Sequence, residues 1–359
     1  MNFEHDAVLV RAGETLLDFL AVRKGEDVLI TVDTALDPAV STSIFGIAER
    51  LGAHPSILVI PQLPFQGTLA DPYTSRTLSQ ATKSCDVWID LTFPYLAGSS
   101  VHDHAMAAKS VRYILGGDMR RDNFRRLFGL VDMDQYYEAQ SEFDRIFTAS
   151  IGQTVHITNR LGTDLRFKLD KTSLTKPRRA TGPGMYLVPG TCSVAPDIKT
   201  VTGTVVVSSS FHEFYEALPS PITLKVNGKI SELSGGGHSR VPLNRAMLRA
   251  GGGEYGSIIH FSHGLHPAAR VTGKCFIEDM RAHGCNAVGL GIPWWEPGGG
   301  ENHPDVILTE QSLWIEDRAI VRDGIVVGPA SLVALADKLG PLTSVTQENT
   351  LGAYPKAAQ

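Results

Sequence analysis

Histidines are concentrated in the second half of the chain, where they could supply metal ligands. Seven of the twelve lie between His212 and His303. The most informative segment is His303-Pro304-Asp305, because residues i and i+2 of a β-strand share a face and direct their side chains to one point. Pro304 donates no hydrogen bond to a neighbouring strand, which is typical of a strand start or an edge. The pair could belong to a metal site or could be a surface histidine beside a surface aspartate, and the pair alone does not decide between them.

A third ligand is predicted where an apolar run ends in histidine. The run Gly256–His260 (GSIIH) leads into Phe261–Pro267 (FSHGLHP), which contains two further histidines. Two neutral imidazoles and one carboxylate form the facial triad of non-haem iron(II) oxygenases, which leaves other positions on the ion open. The same three groups can hold a catalytic zinc ion with an open position. The types and spacing of His260, His303 and Asp305 therefore leave iron and zinc as alternatives.

The elements before residue 150 alternate between strand and helix. Val28–Val32 and Ser56–Ile60 are short apolar runs suited to strands, and Pro38–Leu51 between them has helical spacing. The alternation continues in the predicted elements Thr77–Ser84, Asp86–Leu91, His102–Ser110 and Val111–Leu115. Repeated βα units predict a Rossmann-like, doubly wound α/β domain over residues 1–150. No GxGxxG segment opens the first helix, so a dinucleotide site is not predicted.

From residue 151 to residue 359 the pattern becomes β-rich. The helical stretch Met133–Thr148 leads out of the first domain, and strand-like segments follow it. Asn227-Gly228 lies between two apolar runs and is a strong signal for a β-hairpin. Glu316-Asp317 separates Ser312–Ile315 from Ala319–Val321 in a similar way. We therefore expect a β-rich α+β domain that carries the metal ligands.

Composition excludes several classes of function. The net charge of −5 provides no basic field for a nucleic-acid backbone. No apolar run reaches the roughly 18 residues that a membrane helix needs, and the N-terminal residues do not have the pattern of an export signal. The four cysteines form no CxxC pair and are expected to be reduced thiols. These features predict a cytoplasmic enzyme with neither a nucleic-acid nor a membrane partner.

The same residues carry a resemblance to a known family. Tyr255–Arg270, Arg281–Gly291 and His303–Val327 resemble the 2,5-dihydroxypyridine 5,6-dioxygenase family, which is structurally related to the aminopeptidase T family of thermophilic metallo-aminopeptidases. A weaker similarity covers Gly184–Ser193 and the turn Gly162–Asp164. The resemblance implies a ring-opening dioxygenase that uses iron(II), dioxygen and a small aromatic substrate, either a hydroxylated pyridine or a related aromatic diol. It also implies a homo-oligomer.

The resemblance transfers the metal ligands of one family better than those of the other. The dioxygenase iron ligands match His260, His303 and Asp305. Of the five aminopeptidase ligands, the first glutamate position holds Cys192, the second holds His260, and the first histidine position holds Ala287. A two-metal site bridged by a carboxylate cannot form from this set, so the resemblance implies a single ion.

Two histidines are candidates for the acid/base group that the resemblance implies. The family has a histidine shortly after the strand that matches Asp86–Leu91. This sequence departs from that pattern, because Thr92–Ser100 contains no histidine and is followed by His102 and His104. Either histidine would serve to move protons during ring opening. The alternative is a pair of solvated histidines at the start of a helix.

Five further residues are expected to bind the substrate. Aromatic rings can pack against a flat substrate, and His263 can donate a hydrogen bond to it, although each side chain can equally belong to an ordinary core or rim. The predicted substrate-binding residues are Tyr186, Cys192, His263, Trp294 and Trp295. Two other functions remain open: an aminopeptidase-like hydrolase with a single zinc ion, and a scaffold that has lost catalysis.

Overall fold

The computed structural model describes residues 6–173, 179–293, 295–299 and 303–339. Its α-helices are α1 (Ala7–Phe19), α2 (Pro38–Arg50), α3 (Arg76–Ser84), α4 (Ser100–Ala107), α5 (Arg121–Phe124), α6 (Met133–Ala149), α7 (Arg240–Ala250), α8 (Phe276–Asp279) and α9 (Ala330–Lys338). None of the helices in this part of the chain is long and apolar enough to cross a membrane.

The strands form two sheets of different kinds. They are β1 (Asp27–Asp33), β2 (His54–Ile60), β3 (Val87–Asp90), β4 (Arg112–Leu115), β5 (Thr154–Thr158), β6 (Asp164–Ser173), β7 (Gly184–Leu187), β8 (Thr191–Pro196), β9 (Thr202–Phe211), β10 (Tyr215–Asn227), β11 (Lys229–Gly235), β12 (Ser257–Gly264), β13 (Asn286–Gly291), β14 (Asp305–Leu308), β15 (Ser312–Ile315), β16 (Arg318–Arg322) and β17 (Ile325–Val326). The structure is therefore a mixed α/β fold.

The first sheet is parallel, as the alternation of strands and helices predicts. Its strand order is β2-β1-β3-β4-β7, and the pairings are all parallel. The central strands β3 and β4 are buried along their whole length, as expected when helices cover a parallel sheet. Helix α2 begins where the sequence predicts, with Pro38 in its first turn and the Asp37 side chain accepting a hydrogen bond from the Ala39 amide.

The second sheet is antiparallel and much larger. Its strand order is β11-β10-β9-β14-β13-β12-β8-β6-β5-β15-β16-β17, and an additional pairing joins β9 to β6. This extra pairing closes a ring of six strands: β9, β14, β13, β12, β8 and β6. The two predicted hairpins are confirmed, since β10 pairs with β11 and β15 pairs with β16.

The chain divides into two compact units that do not follow a single cut. One unit contains the described residues up to Met133 together with those from 179 to Pro189, and the other contains the rest. The sequence places the division near residue 150 with one crossing. The structure differs because α6 groups with the second unit, and the chain returns to the first unit to add β7 beside β4. All four cysteines are buried, and none of them forms a disulfide bond within the described residues.

Candidate metal centre

Three neighbouring strands of the antiparallel sheet position the predicted metal ligands. His260 lies in β12 and Asp305 is the first residue of β14, with β13 between these strands. In the register of the sheet, Gly289 of β13 lies opposite His260 on one side and opposite Asp305 on the other. Paired residues share a face, so both side chains project from the same side of the sheet. His303 precedes β14 by two residues, which fits the predicted strand start.

The three side chains converge on one point. The Nε2 atom of His260 lies 3.2 Å from the Nε2 atom of His303 and 3.2 Å from Oδ1 of Asp305. The Nε2 atom of His303 lies 3.5 Å from Oδ2 of Asp305. Ligand atoms that lie about 2.1 Å from one ion, at right angles to each other, are about 3 Å apart. The spacing of the three residues therefore fits a shared ion, and they form a group that could hold a metal.

The charge of Asp305 supports the same conclusion. Burial raises the pKa of this carboxyl, but His303 and His260 outweigh it and hold the pKa below the ordinary value of 3.8. The group is therefore a carboxylate at neutral pH. Its Oδ1 atom is buried and has no hydrogen-bond partner among the described residues. A buried carboxylate whose two oxygens each face one imidazole nitrogen is what a metal-binding residue presents.

Gly289 provides the space that His260 occupies. A Cβ atom at position 289 would lie 2.2 Å from Nε2 of His260 and 2.3 Å from its Cδ2. The imidazole of His260 therefore lies directly over the backbone of β13. A shift in register between Ile258 and His260 marks a β-bulge at this point of β12. Bulges redirect side chains, and this one adjoins the ligand.

Two hydroxyl groups lie behind the His260 ring. The Nδ1 atom of His260 is 3.4 Å from Oγ of Ser262, and Oγ of Ser262 is 2.8 Å from Oγ of Ser193. Ser262 and Ser193 are paired across β12 and β8. The triad thus has a polar contact on the side of the ring that faces away from Asp305.

His263 and Cys192 lie on the opposite face of the sheet from the triad. They are paired with each other across β12 and β8, and side chains three residues apart in a strand, as His260 and His263 are, point to opposite faces. His263 stacks on Phe147, with 5.1 Å between the ring centroids. The Cys192 thiol donates a hydrogen bond to Oδ1 of Asp144 at 2.8 Å. The structure therefore does not bring these two residues to the triad.

The other predicted residues are distributed more widely. Tyr186 belongs to the first unit, where its hydroxyl donates a hydrogen bond to the Gly182 carbonyl. His102 and His104 are in α4 of the same unit, His102 buried and His104 exposed. Trp295 is 44% exposed. Trp294 lies outside the described residues.

The residues that contact the His260 ring are not predicted from the sequence. Gly289 and Ser262 both lie in segments that the resemblance covers, yet neither has a ligand-type side chain. The available signals were a glycine inside a strand, which often marks a close approach, and the i, i+2 spacing of Ser262 from His260. Both signals require a strand assignment and a register that only the folded chain provides.

Comparisons with known proteins agree with this fold. The structure of 2,5-dihydroxypyridine dioxygenase from Pseudomonas putida KT2440 matches with a TM-score of 0.67 and 19% identity, covering 90% of this chain and 98% of that chain. Wild-type AmpT from Thermus thermophilus matches with a TM-score of 0.61 and 15% identity, covering 90% and 99%. At these identities the likeness shows the fold. Nothing among the curated proteins matches the sequence.

The fold and the triad define a class of α/β proteins that can place a metal ion on an antiparallel sheet. Within that class, a family model of 2,5-dihydroxypyridine 5,6-dioxygenase (NicX) matches residues 9–328, so the chain belongs to this family. The chain is accordingly an oxidoreductase of the ring-cleaving dioxygenase type. The resemblance drawn from the sequence is confirmed.

Proposed function

We propose that the protein opens the ring of a hydroxylated pyridine or a related aromatic diol with dioxygen, and that iron(II) bound by His260, His303 and Asp305 supports the reaction. The observation that carries the proposal is the convergence of these three side chains in a member of a dioxygenase family. Their ligand types are those of the facial triad. The substrate named in the family description is the first candidate.

The triad residues determine the net charge of the site and leave further binding positions on the ion open. Two neutral imidazoles and one carboxylate contribute one negative charge, so a divalent ion there keeps one net positive charge. Iron(II) held by these residues would supply binding positions for dioxygen and for an ionised hydroxyl of the substrate. Because zinc accepts the same ligands, the identity of the metal is part of the proposal.

A single ion is favoured over a pair of ions. The first glutamate position of the aminopeptidase pattern holds Cys192, whose thiol is engaged with Asp144. The first histidine position holds Ala287, which offers no ligand atom. Within the described residues, the His260, His303 and Asp305 group is the one cluster that could hold a metal. These observations support ring oxidation over the two-metal chemistry of a peptidase.

We further propose His102, rather than His104, as the acid/base group. Burial lowers the pKa of His102, so its imidazole is neutral at pH 7 and able to accept a proton. When Nδ1 donates its proton to Oδ1 of Asp103, 3.2 Å away, the lone pair of the ring is on Nε2, which is buried without a hydrogen-bond partner among the described residues. An available lone pair on a neutral imidazole suits proton transfer. His104 is exposed on the same helix.

The organisation expected from the sequence extends this proposal. We propose that the parallel sheet is a doubly wound, Rossmann-like domain, because α1 packs against α2 and α3 packs against α4, and such a sheet has helices on both faces. The metal-binding residues then belong to the β-rich domain that follows. A homo-oligomeric, cytoplasmic enzyme remains the expectation from the resemblance and from the composition.

Oxygen uptake tests the function directly. The metal-free protein is loaded with iron(II) under anaerobic conditions and mixed with oxygenated 2,5-dihydroxypyridine. One molecule of dioxygen should be consumed for each molecule of 2,5-dihydroxypyridine whose aromatic absorbance disappears. The variant His303→Ala should lose this activity, whereas His238→Ala, which removes an exposed histidine, should retain it. Zinc-supported peptide hydrolysis without oxygen uptake on any aromatic diol would reject the proposal.

A further inference from the structure

We propose that Gly289 and Ser262 are positioning residues for His260, holding its imidazole across β13 so that Nε2 meets the ion and Nδ1 keeps its proton. The inference rests on the proposed metal site. Neither residue has a metal-ligand side chain, so each is argued to act through His260. Both lie on the triad face of the sheet.

The need for positioning arises from the distance between strands. Neighbouring strands lie about 4.8 Å apart, so the backbones of His260 in β12 and Asp305 in β14 are separated by about two such spacings. Their side-chain atoms nevertheless approach to 3.2 Å. The imidazole must therefore extend over β13, at the height where any side chain of β13 would begin.

Gly289 is the residue over which the ring passes. Its register partners are His260 and Asp305. A Cβ atom there would come within 2.2, 2.3 and 2.9 Å of three ring atoms of His260. To reach ordinary carbon contact distance, the ring would have to move by about 1 Å or more. A site that needs its ligands within about 0.5 Å of the correct geometry does not tolerate that displacement.

Ser262 contacts the His260 ring at the Nδ1 atom, on the side away from the metal-binding nitrogen. When Nε2 is the metal-binding atom, Nδ1 carries the proton and donates it to a hydrogen-bond acceptor. Oγ of Ser262 lies 3.4 Å from Nδ1 of His260 and can accept this proton. The same Oγ lies 2.8 Å from Oγ of Ser193, to which it can donate its own proton. This chain of hydroxyls fixes the tautomer and the plane of the ring. Ser262 is buried, so water does not readily replace it.

Metal affinity, measured on the protein without substrate, tests the inference. Cobalt(II) is titrated into the metal-free protein, its visible absorption is recorded, and the dissociation constant is obtained by competition with a chelator. Gly289→Ala should weaken binding by about a hundredfold and Ser262→Ala by about tenfold, the range found when support of a ligand is lost. Ser262→Thr keeps the hydroxyl and should restore most of the affinity.

Matched controls separate positioning from a general loss of structure. Gly46→Ala in α2 places a Cβ where nothing lies within 4 Å, and Ser56→Ala removes an exposed hydroxyl. Both should bind cobalt(II) as the unaltered protein does. Circular dichroism of the metal-free variants should show native structure, and if Gly289→Ala does not fold, the Ser262→Ala and Ser262→Thr pair decides.

Failure of the positioning inference and failure of the proposed metal site give different results. If Gly289→Ala folds and Ser262→Ala folds, and both bind cobalt(II) with unchanged affinity while His303→Ala does not bind, the positioning inference is overturned and the metal site stands. If His303→Ala binds as well as the unaltered protein, the metal site itself is wrong. Loss of affinity in both variants, with rescue by threonine, supports the inference.

Discussion

At the scale of residues, two histidines of the second unit are buried in their uncharged form. Burial lowers the pKa of His263 to about 4 and that of His283 to about 4. The Nδ1 atom of His263 lies 3.0 Å from the Asn286 amide nitrogen, which donates to it. Both ring nitrogens of His283 are buried with no hydrogen-bond partner in the described chain. Protonation of either ring is therefore resisted by the fold.

This burial predicts a specific acid sensitivity. Unfolded histidine has a pKa of about 6.5, so between pH 6.5 and pH 4 the unfolded state binds more protons than the folded state. Stability is fully present above pH 6.5 and should fall by about 1.4 kcal/mol per pH unit for each histidine as the pH decreases. The free energy of unfolding of His283→Leu, measured with urea between pH 6.5 and pH 4.5, should depend less steeply on pH by that amount. An unchanged slope would contradict the assignment, and His238→Ala serves as the control.

The candidate site could be predicted only in part from residue types. His260, His303 and Asp305 can be recognised from the sequence because imidazole and carboxylate groups are common metal ligands, whatever their position in the chain. Gly289 has no such side chain, and its importance comes from lying opposite both His260 and Asp305. That relation depends on strand register, which is a property of the fold.

At the scale of elements, the hairpin of β10 and β11 shows what a local signal can predict. The strands pair from Ile222 with Gly235 to Asn227 with Lys229. Gly228 forms the turn with a φ of +70°. A residue with a side chain is strained in this left-handed conformation, whereas glycine is not.

Replacing the turn glycine should therefore destabilise the protein without a steric clash. The nearest atoms to a Cβ at Gly228 are 3.7 Å away, so the cost is conformational. Gly228→Ala should lower the free energy of unfolding by about 1 kcal/mol. Gly46→Ala in the interior of α2 should raise it by up to about 1 kcal/mol. Thermal unfolding followed by circular dichroism measures both, and equal shifts of the same sign would contradict the argument.

Elements that depend on distant partners were not predictable in the same way. The sequence pattern does not predict helix α1, because Gly13 within it weakens helix propensity. The structure gives the reason for this glycine, because a Cβ there would lie 2.3 Å from Cδ1 of Ile47 in α2. Strand β7 joins the parallel sheet beside β4 after a long excursion of the chain. Such pairing leaves no local pattern.

At the scale of the whole molecule, the triad belongs entirely to one unit. His260, His303 and Asp305 all lie in the second unit, although 43 residues separate His260 from His303 along the chain. The alternation of strands and helices predicted the parallel sheet, and the hairpin signals predicted part of the antiparallel one. The order of its twelve strands, which brings β12 and β14 to either side of β13, required the structure.

The number of iron(II) ions bound per chain tests the central claim most directly. The metal-free protein is equilibrated anaerobically with iron(II), the free ion is removed, and the bound metal is quantified by elemental analysis. We expect one iron per chain, and almost none in Asp305→Ala, whose remaining two imidazoles cannot complete the triad. Two ions per chain, or unchanged binding in Asp305→Ala, would contradict the account.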